Sequence, residues 1–257
     1  MSEQTRRQFF KTTGTAAVGG VVAAATVPGL AEAAEEAGKT WTKHWGMLVD
    51  LRRCIGCQAC TVACKAENDV PLGVFRRRVR TLMTGSYPEV ARHFIPISCY
   101  HCEDPKCLAA CARHNCYEGQ TETALYQTDD GYVLVDKEKC GADKKPCMTG
   151  CPYHNIFFDP VEGKADKCTF CDHRVKQGLI PACVQTCEGG ALVFGDLKDP
   201  SSEIAKAIAA NDTKVLKPRK RTNPSFHYIG LDPDVQASVE KMIKGKRLKP
   251  TDLENDR

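Results

Sequence analysis

The sequence predicts an α+β fold in which small sheets and short helices surround clustered cysteines. Sixteen cysteines stand among 257 residues, whereas aromatic residues make up only 7% of the chain. Few large side chains are left for a hydrophobic core, and cysteine-rich domains replace part of such a core with disulfides or metal. The charge is nearly balanced, at +4 from 36 Lys and Arg against 32 Asp and Glu, which predicts no nucleic-acid partner.

The first cysteine group has the spacing Cys54-x2-Cys57-x2-Cys60-x3-Cys64. This is the bacterial ferredoxin pattern, with Lys65 in place of the usual proline. Three thiolates on a tight loop can occupy three corners of one cubane cluster, and the fourth ligates a second cluster. Three cysteines this close do not suit tetrahedral zinc, whose ligands form two separated pairs. The spacing therefore favours iron–sulfur clusters.

The second and fourth groups repeat the end of this pattern. Each closes with two cysteines at helical spacing after a longer loop, and a disulfide scaffold has no reason to reuse that spacing. The second group contains Cys99, Cys102, Cys107 and Cys111, and the fourth contains Cys168, Cys171, Cys183 and Cys187.

The third group lacks one cysteine. It contains Cys140, Cys147 and Cys151, with no second cysteine and one inserted residue. A cluster at this position could lose a corner and become 3Fe–4S, or it could keep four irons with Asp143 as a ligand. It could also recruit Cys116, which lies outside the four groups and is otherwise interpreted as a buried free thiol.

An internal repeat organises the chain around these groups. Apolar runs of strand type occur at residues 45–53, 131–139, 156–159 and 191–196, and short helices are expected at 60–66 and 181–186. The order strand, ligand loop, short helix and strand predicts two ferredoxin-like modules within residues 45–200. The second module, residues 92–160, is inserted in the first if the first and fourth groups pair. The polar connectors at 67–91 and 117–131 are expected at the surface.

Residues 201–257 contain no cysteine and are expected to form an irregular C-terminal extension. Residues 201–210 are typical of a capped helix, with Ser202 and Glu203 near its start. Basic runs at 214–221 and 241–249 are interpreted as solvated faces rather than anion-binding surfaces. The tail could also wrap a partner subunit.

No catalytic residue is predicted, because the chain has neither a nucleotide-binding loop nor a nucleophile motif. The seven histidines do not form a spaced ligand set. His101 lies inside the second group and is interpreted as a solvent-facing loop residue, with cluster tuning as the alternative.

The N-terminus resembles a twin-arginine signal peptide. Arg6 and Arg7 precede a weakly apolar stretch from Gly14 to Leu30, and a small-x-small cleavage sequence ends at Ala33. Such signals export folded proteins, so cysteines can be loaded with metal before they reach an oxidising compartment. Residues 1–33 are therefore expected to direct the chain to the periplasm. No other long apolar segment predicts a membrane span.

Together, these motifs resemble the four-cluster iron–sulfur subunit of the molybdopterin oxidoreductase superfamily. The likeness is carried by residues 50–60, 151–153, 167–174 and 180–187. Members with their own twin-arginine signal resemble the ferredoxin-type subunits of tetrathionate reductase and nitrite reductase. Nitrate-reductase-like members also replace the second cysteine of the third group, and they carry a 3Fe–4S cluster there.

The resemblance implies three 4Fe–4S clusters and one 3Fe–4S or non-standard 4Fe–4S cluster, in four ligand sets. Site one is Cys54, Cys57, Cys60 and Cys187; site two is Cys64, Cys168, Cys171 and Cys183; site three is Cys99, Cys102, Cys107 and Cys151; and site four is Cys111, Cys140 and Cys147. The fourth ligand of site four is absent, or it is Asp143 or Cys116.

The expected function is electron transfer between a molybdopterin (Mo/W) catalytic subunit and a membrane quinone-reactive subunit or a cytochrome. A free-standing periplasmic ferredoxin, or a relay subunit in a molybdenum-free quinone-linked membrane complex, is the alternative. A third possibility is a structural protein that is stapled by disulfides.

Overall fold

The computed structural model describes residues 41–113, 123–141 and 145–244. The predicted signal peptide, Cys116 and Asp143 lie outside these described residues, as does most of the second basic run. Small sheets and short helices, as predicted, make up the described chain.

The strands are β1 (Trp45–Asp50), β2 (Arg77–Ser86), β3 (Glu89–Ser98), β4 (Leu125–Gln127), β5 (Val133–Val135), β6 (Phe157–Phe158), β7 (Ala165–Asp166), β8 (Leu192–Asp196), β9 (Thr213–Lys214) and β10 (Phe226–Ile229). The helices are α1 (Ala59–Glu67), α2 (Lys106–Arg113), α3 (Pro146–Gly150), α4 (Asp172–Val175), α5 (Ala182–Gln185), α6 (Glu203–Ala209) and α7 (Pro233–Lys244). None of these helices has the length and apolar composition of a membrane span.

Strand β1 lies inside a four-stranded sheet of order β8-β1-β10-β9. It pairs antiparallel with β8 and parallel with β10, so that Val49 is opposite Leu192 on one side and Tyr228 on the other. Met47, Leu48 and Val49 are all buried, as expected for a strand that is covered on both faces. The first cysteine group therefore follows directly from a strand in the core.

The segment after residue 200 contributes to the core. Strand β10 lies between β1 and β9, and Leu216, Phe226 and Tyr228 are fully buried. The Tyr153 hydroxyl donates a hydrogen bond to the Leu216 carbonyl at 3.1 Å. The prediction of an irregular extension is therefore wrong for residues 203–244. A four-residue strand with a parallel partner far away in the sequence leaves only a weak local signal.

The capped helix in this segment is confirmed. The Ser202 Oγ accepts a hydrogen bond from the Ala205 N–H at 3.2 Å, and Glu203 is the first residue of α6.

The first basic run, residues 214–221, was predicted to be a solvated face, and one of its lysines is not solvated. Lys217 is buried, and its Nζ donates to the Pro152 carbonyl. Its interpretation as a solvated residue is wrong, because its ammonium finds a carbonyl acceptor inside the protein.

The polar connector predicted at residues 67–91 contributes instead to a long β-hairpin. Strands β2 and β3 pair antiparallel from Arg77 opposite Ser98 to Ser86 opposite Glu89. Only the base of the hairpin is buried, through residues such as Ile95, whereas its distal half is exposed. The polar, exposed half explains why the sequence pattern indicated a surface connector. The base brings Arg77 into the core.

Candidate iron–sulfur sites

The four cysteines of site one line a single pocket. The loop that carries three of them requires a glycine, because Gly56 has a φ of +72° and a Cβ there would lie 2.4 Å from the Phe94 ring. The Ala191 N–H donates to the Cys187 Sγ at 3.3 Å. Cys57 is exposed, so site one reaches the protein surface.

The four cysteines of site two line a second pocket. Its thiol groups receive hydrogen bonds from the protein: the Phe170 N–H donates to the Cys168 Sγ at 3.4 Å. The Asn68 Nδ2 lies 3.9 Å from the Cys64 Sγ and 3.7 Å from the Cys171 Sγ. Donors directed at sulfur are a feature of protein environments that hold and tune iron–sulfur clusters.

The cysteines of site three also come together. Burial, and then the neighbouring thiol of Cys99, raises the pKa of Cys102 to about 12. Burial likewise raises the pKa of Cys107, followed by the thiols of Cys151 and Cys99. Four thiols from two cysteine groups therefore converge here.

Site four is the least complete. Burial and then the neighbouring Cys140 thiol raise the pKa of Cys147 to about 11, and the Ala165 N–H donates to the Cys140 Sγ at 3.3 Å. Cys111 is buried on α2, but it is disulfide-bonded. A disulfide sulfur becomes a thiolate ligand only after reduction. The three possibilities for this site stay open.

Two helix pairs connect the sites. Helix α1 carries Cys60 of site one and Cys64 of site two, and it packs against α5. Helix α2 carries Cys107 of site three and Cys111 of site four, and it packs against α3. This second contact requires a glycine, because a Cβ at Gly150 would lie 2.5 Å from the Ala110 Cβ. On each of α1 and α2, cysteines of two neighbouring sites are four residues apart, which is about one helical turn.

Several ligand loops contain non-glycine residues with a positive φ. They are Gln58 in the first group, His101 in the second, and Phe170 and Cys171 in the fourth. This conformation is uncommon outside glycine. Turns that combine right- and left-handed residues direct successive N–H groups into a concave anion-binding site, as they do around many iron–sulfur clusters. The backbone of these loops therefore fits a negatively charged cluster.

The thiols need a metal in order to lose their protons. Burial raises the pKa of Cys183, as it does that of Cys102, to about 12. At neutral pH these groups are protonated in the absence of metal, and metal binding must release their protons. Within the described residues, no group of three or more His, Cys, Asp or Glu side chains surrounds a single metal-ion position. The thiols of sites one and two instead surround pockets.

The interpretation of His101 as solvent-facing is wrong. Its ring is fully buried and stacks on Phe170, with 3.8 Å between the ring centroids. The Val133 N–H lies 3.2 Å from its Nδ1. Burial, and then the positive charge of Lys167, lowers the pKa of His101. The imidazole is therefore neutral, and it is inserted between the loops of the second and fourth groups.

Sequence reasoning missed two buried cations beside the thiols. The Lys167 Nζ donates to the carbonyls of Val133 and Cys168, and its charge acts on Cys99 of site three. Arg77 lines the site-two pocket, and its charge also acts on Cys60 of site one. Arg77 lies in an ordinary basic stretch, and only the position of Lys167 directly before Cys168 could have indicated a role. Buried positive charges compensate thiolate charge.

Lys65, which replaces the expected proline, points away from the pockets. Its Nζ donates to the carbonyls of Pro71 at 2.7 Å and Val74 at 2.9 Å. These bonds hold the turn after α1, so a lysine serves at this position without placing an ammonium group among the thiols.

Two family models match the chain. A 4Fe-4S dicluster domain matches residues 90–197, and a 4Fe-4S binding domain matches residues 45–66. With the thiol-lined pockets and the backbone N–H groups that donate to sulfur, these matches define the class of the protein. It is an iron–sulfur protein of the ferredoxin type.

The relatives identify the family. The B subunit of the tetrathionate reductase of Salmonella typhimurium is 41% identical over 240 residues, which cover 90% of each chain. The thiosulfate reductase electron transfer subunit of Salmonella typhi is 41% identical, over 66% of this chain and 84% of its own. The B subunit of the polysulfide reductase of Wolinella succinogenes is 35% identical, over 77% and 98%. This protein belongs to the iron–sulfur B subunits of the molybdopterin oxidoreductases, which are electron-transfer rather than catalytic subunits.

Proposed function

We propose that this chain transfers electrons through four iron–sulfur clusters, between a molybdopterin (Mo/W) catalytic subunit and a membrane quinone-reactive subunit or a cytochrome. The observation that carries the proposal is the convergence of four thiols at each of sites one, two and three. When bound, iron–sulfur clusters exchange single electrons at potentials set by their surroundings. The residues of the chain hold these groups and place them in series.

The proposed series runs from site one to site four. Sites one and two share the α1–α5 pair, and sites three and four share the α2–α3 pair. Sites two and three meet where Cys168 and Cys99 act electrostatically on each other. This arrangement supports two ferredoxin-like modules, the second inserted in the first.

We propose 4Fe–4S clusters at sites one, two and three, and a 3Fe–4S or non-standard 4Fe–4S cluster at site four. Anaerobically purified protein is expected to be brown and to contain about fifteen to sixteen irons per chain. Low-temperature electron paramagnetic resonance of the oxidised protein separates the possibilities at site four. A 3Fe–4S signal indicates a lost corner, and its absence with about sixteen irons favours Asp143 or Cys116 as a ligand. Colourless protein without iron and sulfide would support the disulfide-stapled alternative.

The partners are proposed from the family. The tetrathionate, thiosulfate and polysulfide relatives are named as subunits of reductases. We expect the tagged full-length chain, expressed in its native host, to co-purify with a large molybdopterin-containing protein. A free-standing ferredoxin would purify alone, and a molybdenum-free complex would bring down membrane proteins without molybdenum. Either result would contradict the proposed partner.

The proposed location is the periplasm, with the folded chain exported by the twin-arginine pathway and held at the membrane by a partner. The support is the Arg6–Arg7 pair and the apolar stretch that follows it. Replacement of both arginines by lysine is expected to retain the iron-loaded protein in the cytoplasm. Unchanged export of this variant, assayed by cell fractionation, would contradict the proposal.

A further inference from the structure

Arg77 lies between two of the candidate clusters. It is the first residue of β2, and only 1% of its surface is exposed. Its side chain lines the site-two pocket, and its charge acts on thiols of both sites. These thiols are Cys60 of site one and Cys64, Cys168 and Cys183 of site two. The Phe226 ring, with its centroid 5.8 Å from the guanidinium carbon, covers another side of the group.

No carboxylate in the described part of the chain forms an ion pair with Arg77. The preceding residue is different, because the Arg76 Nη2 lies 2.8 Å from the Asp166 Oδ1. The Arg77 Nη2 donates only to the neutral Ser98 Oγ, at 3.4 Å, and its Nε and Nη1 have no acceptor. A buried charge is costly unless opposite charge and hydrogen-bond acceptors compensate it. The facing thiolate sites are the groups that can supply both.

We propose that Arg77 is the shared counter-charge of sites one and two, and that it raises the reduction potentials of both clusters. Its Nε and Nη1 are the donors available to sulfur atoms of these clusters. Reduction of a cluster adds one negative charge, which a nearby fixed positive charge stabilises, most strongly in a dry interior. Because one guanidinium acts on two neighbouring sites, both potentials rise together, and more at site two, whose pocket it lines. The inference rests on the proposed occupancy of these sites.

The test is a potentiometric titration of anaerobically purified protein, followed by electron paramagnetic resonance. In the Arg77→Gln variant, two of the reduction waves are expected to shift to more negative potentials. We expect the reduction equilibrium constant of each to fall at least tenfold, which is about 59 mV for a one-electron couple. The remaining waves are expected to stay in place. Arg77→Lys, which keeps the charge, is expected to shift the same two waves by less.

Arg78→Gln is the matched control. Arg78 is the next arginine on β2, but its Nη2 is directed at the Asn155 Oδ1, at 3.4 Å, and not at the thiols of sites one and two. Its loss should leave the two waves where they are in the wild-type protein. A second variant, Ser98→Asp, places a carboxylate beside the intact guanidinium and should lower the same two potentials. If Arg77→Gln does not load iron, the Ser98→Asp variant tests the role of Arg77 instead.

The outcomes are separable. A wild-type protein without iron contradicts the proposed function itself. Iron-loaded Arg77→Gln with unchanged potentials, or with equal shifts in all waves, overturns the role of Arg77 while the proposed function stands. If only Ser98→Asp loads iron, unchanged potentials in that variant also overturn the proposed role of Arg77.

Discussion

Removal of iron is expected to abolish the cooperative folding of the chain. Apart from the four-stranded sheet, the described sheets have two strands each, and such pairs are marginal in water by themselves. Helices α3, α4 and α5 have five, four and four residues, too few for independent stability. The elements around the sites therefore depend on what the thiols hold.

The electrostatics of the sites also predict that the chain does not fold without metal. Without metal, protonated thiols would line the pockets, and Arg77 would keep a buried charge without an ion-pair partner in the described residues. Because the ligand sets join distant parts of the sequence, metal binding and folding are coupled. Chelation under anaerobic, reducing conditions should remove the thermal transition seen by circular dichroism. Addition of iron and sulfide should restore it. An iron-free protein with an unchanged transition midpoint would show that the chain folds without clusters.

The Phe226→Ala substitution is expected to cost about 3–5 kcal/mol of the free energy of unfolding. Phe226 is fully buried in β10, and its ring centroid lies 5.0 Å from that of Tyr100 and 5.2 Å from that of Tyr228. The substitution leaves a cavity beside Tyr100 and Tyr228. Its cost compares with a total stability of typically about 5–15 kcal/mol. The thermal midpoint should fall by roughly 6–20 °C.

Tyr87→Ala is the control for this prediction. Tyr87 is 92% exposed near the tip of the β2–β3 hairpin, so its loss should change the midpoint little. Equal effects of the two substitutions would contradict the assignment of β10 to the core. The cofactor content of both variants should be measured alongside, because iron loss from Phe226→Ala would lower the midpoint further.

Much of the candidate site could be predicted because its information is local. The spacing of Cys54, Cys57 and Cys60 specifies a loop, and the step to Cys64 specifies one helical turn. These features indicate iron–sulfur chemistry in any tertiary context. The predicted helix at Ser202 was equally local, since the cap and the N–H group that it accepts are three residues apart. The resemblance to the iron–sulfur subunits of molybdopterin oxidoreductases is confirmed by the relatives.

The features that the sequence left undetermined depend on distant partners. Strand β10 could not be predicted locally, because it forms by parallel pairing with β1. The buried half of the β2–β3 hairpin could not be predicted either, because its burial depends on the core against which it packs. The buried positions of His101, Lys167 and Arg77 follow from packing among separate cysteine loops. The sequence by itself therefore determined the small-sheet, short-helix class and the cysteine chemistry, because spacing along the chain sets these. The tertiary structure alone decided which charges and rings surround the thiols, because a side chain's burial depends on elements that no local pattern encodes.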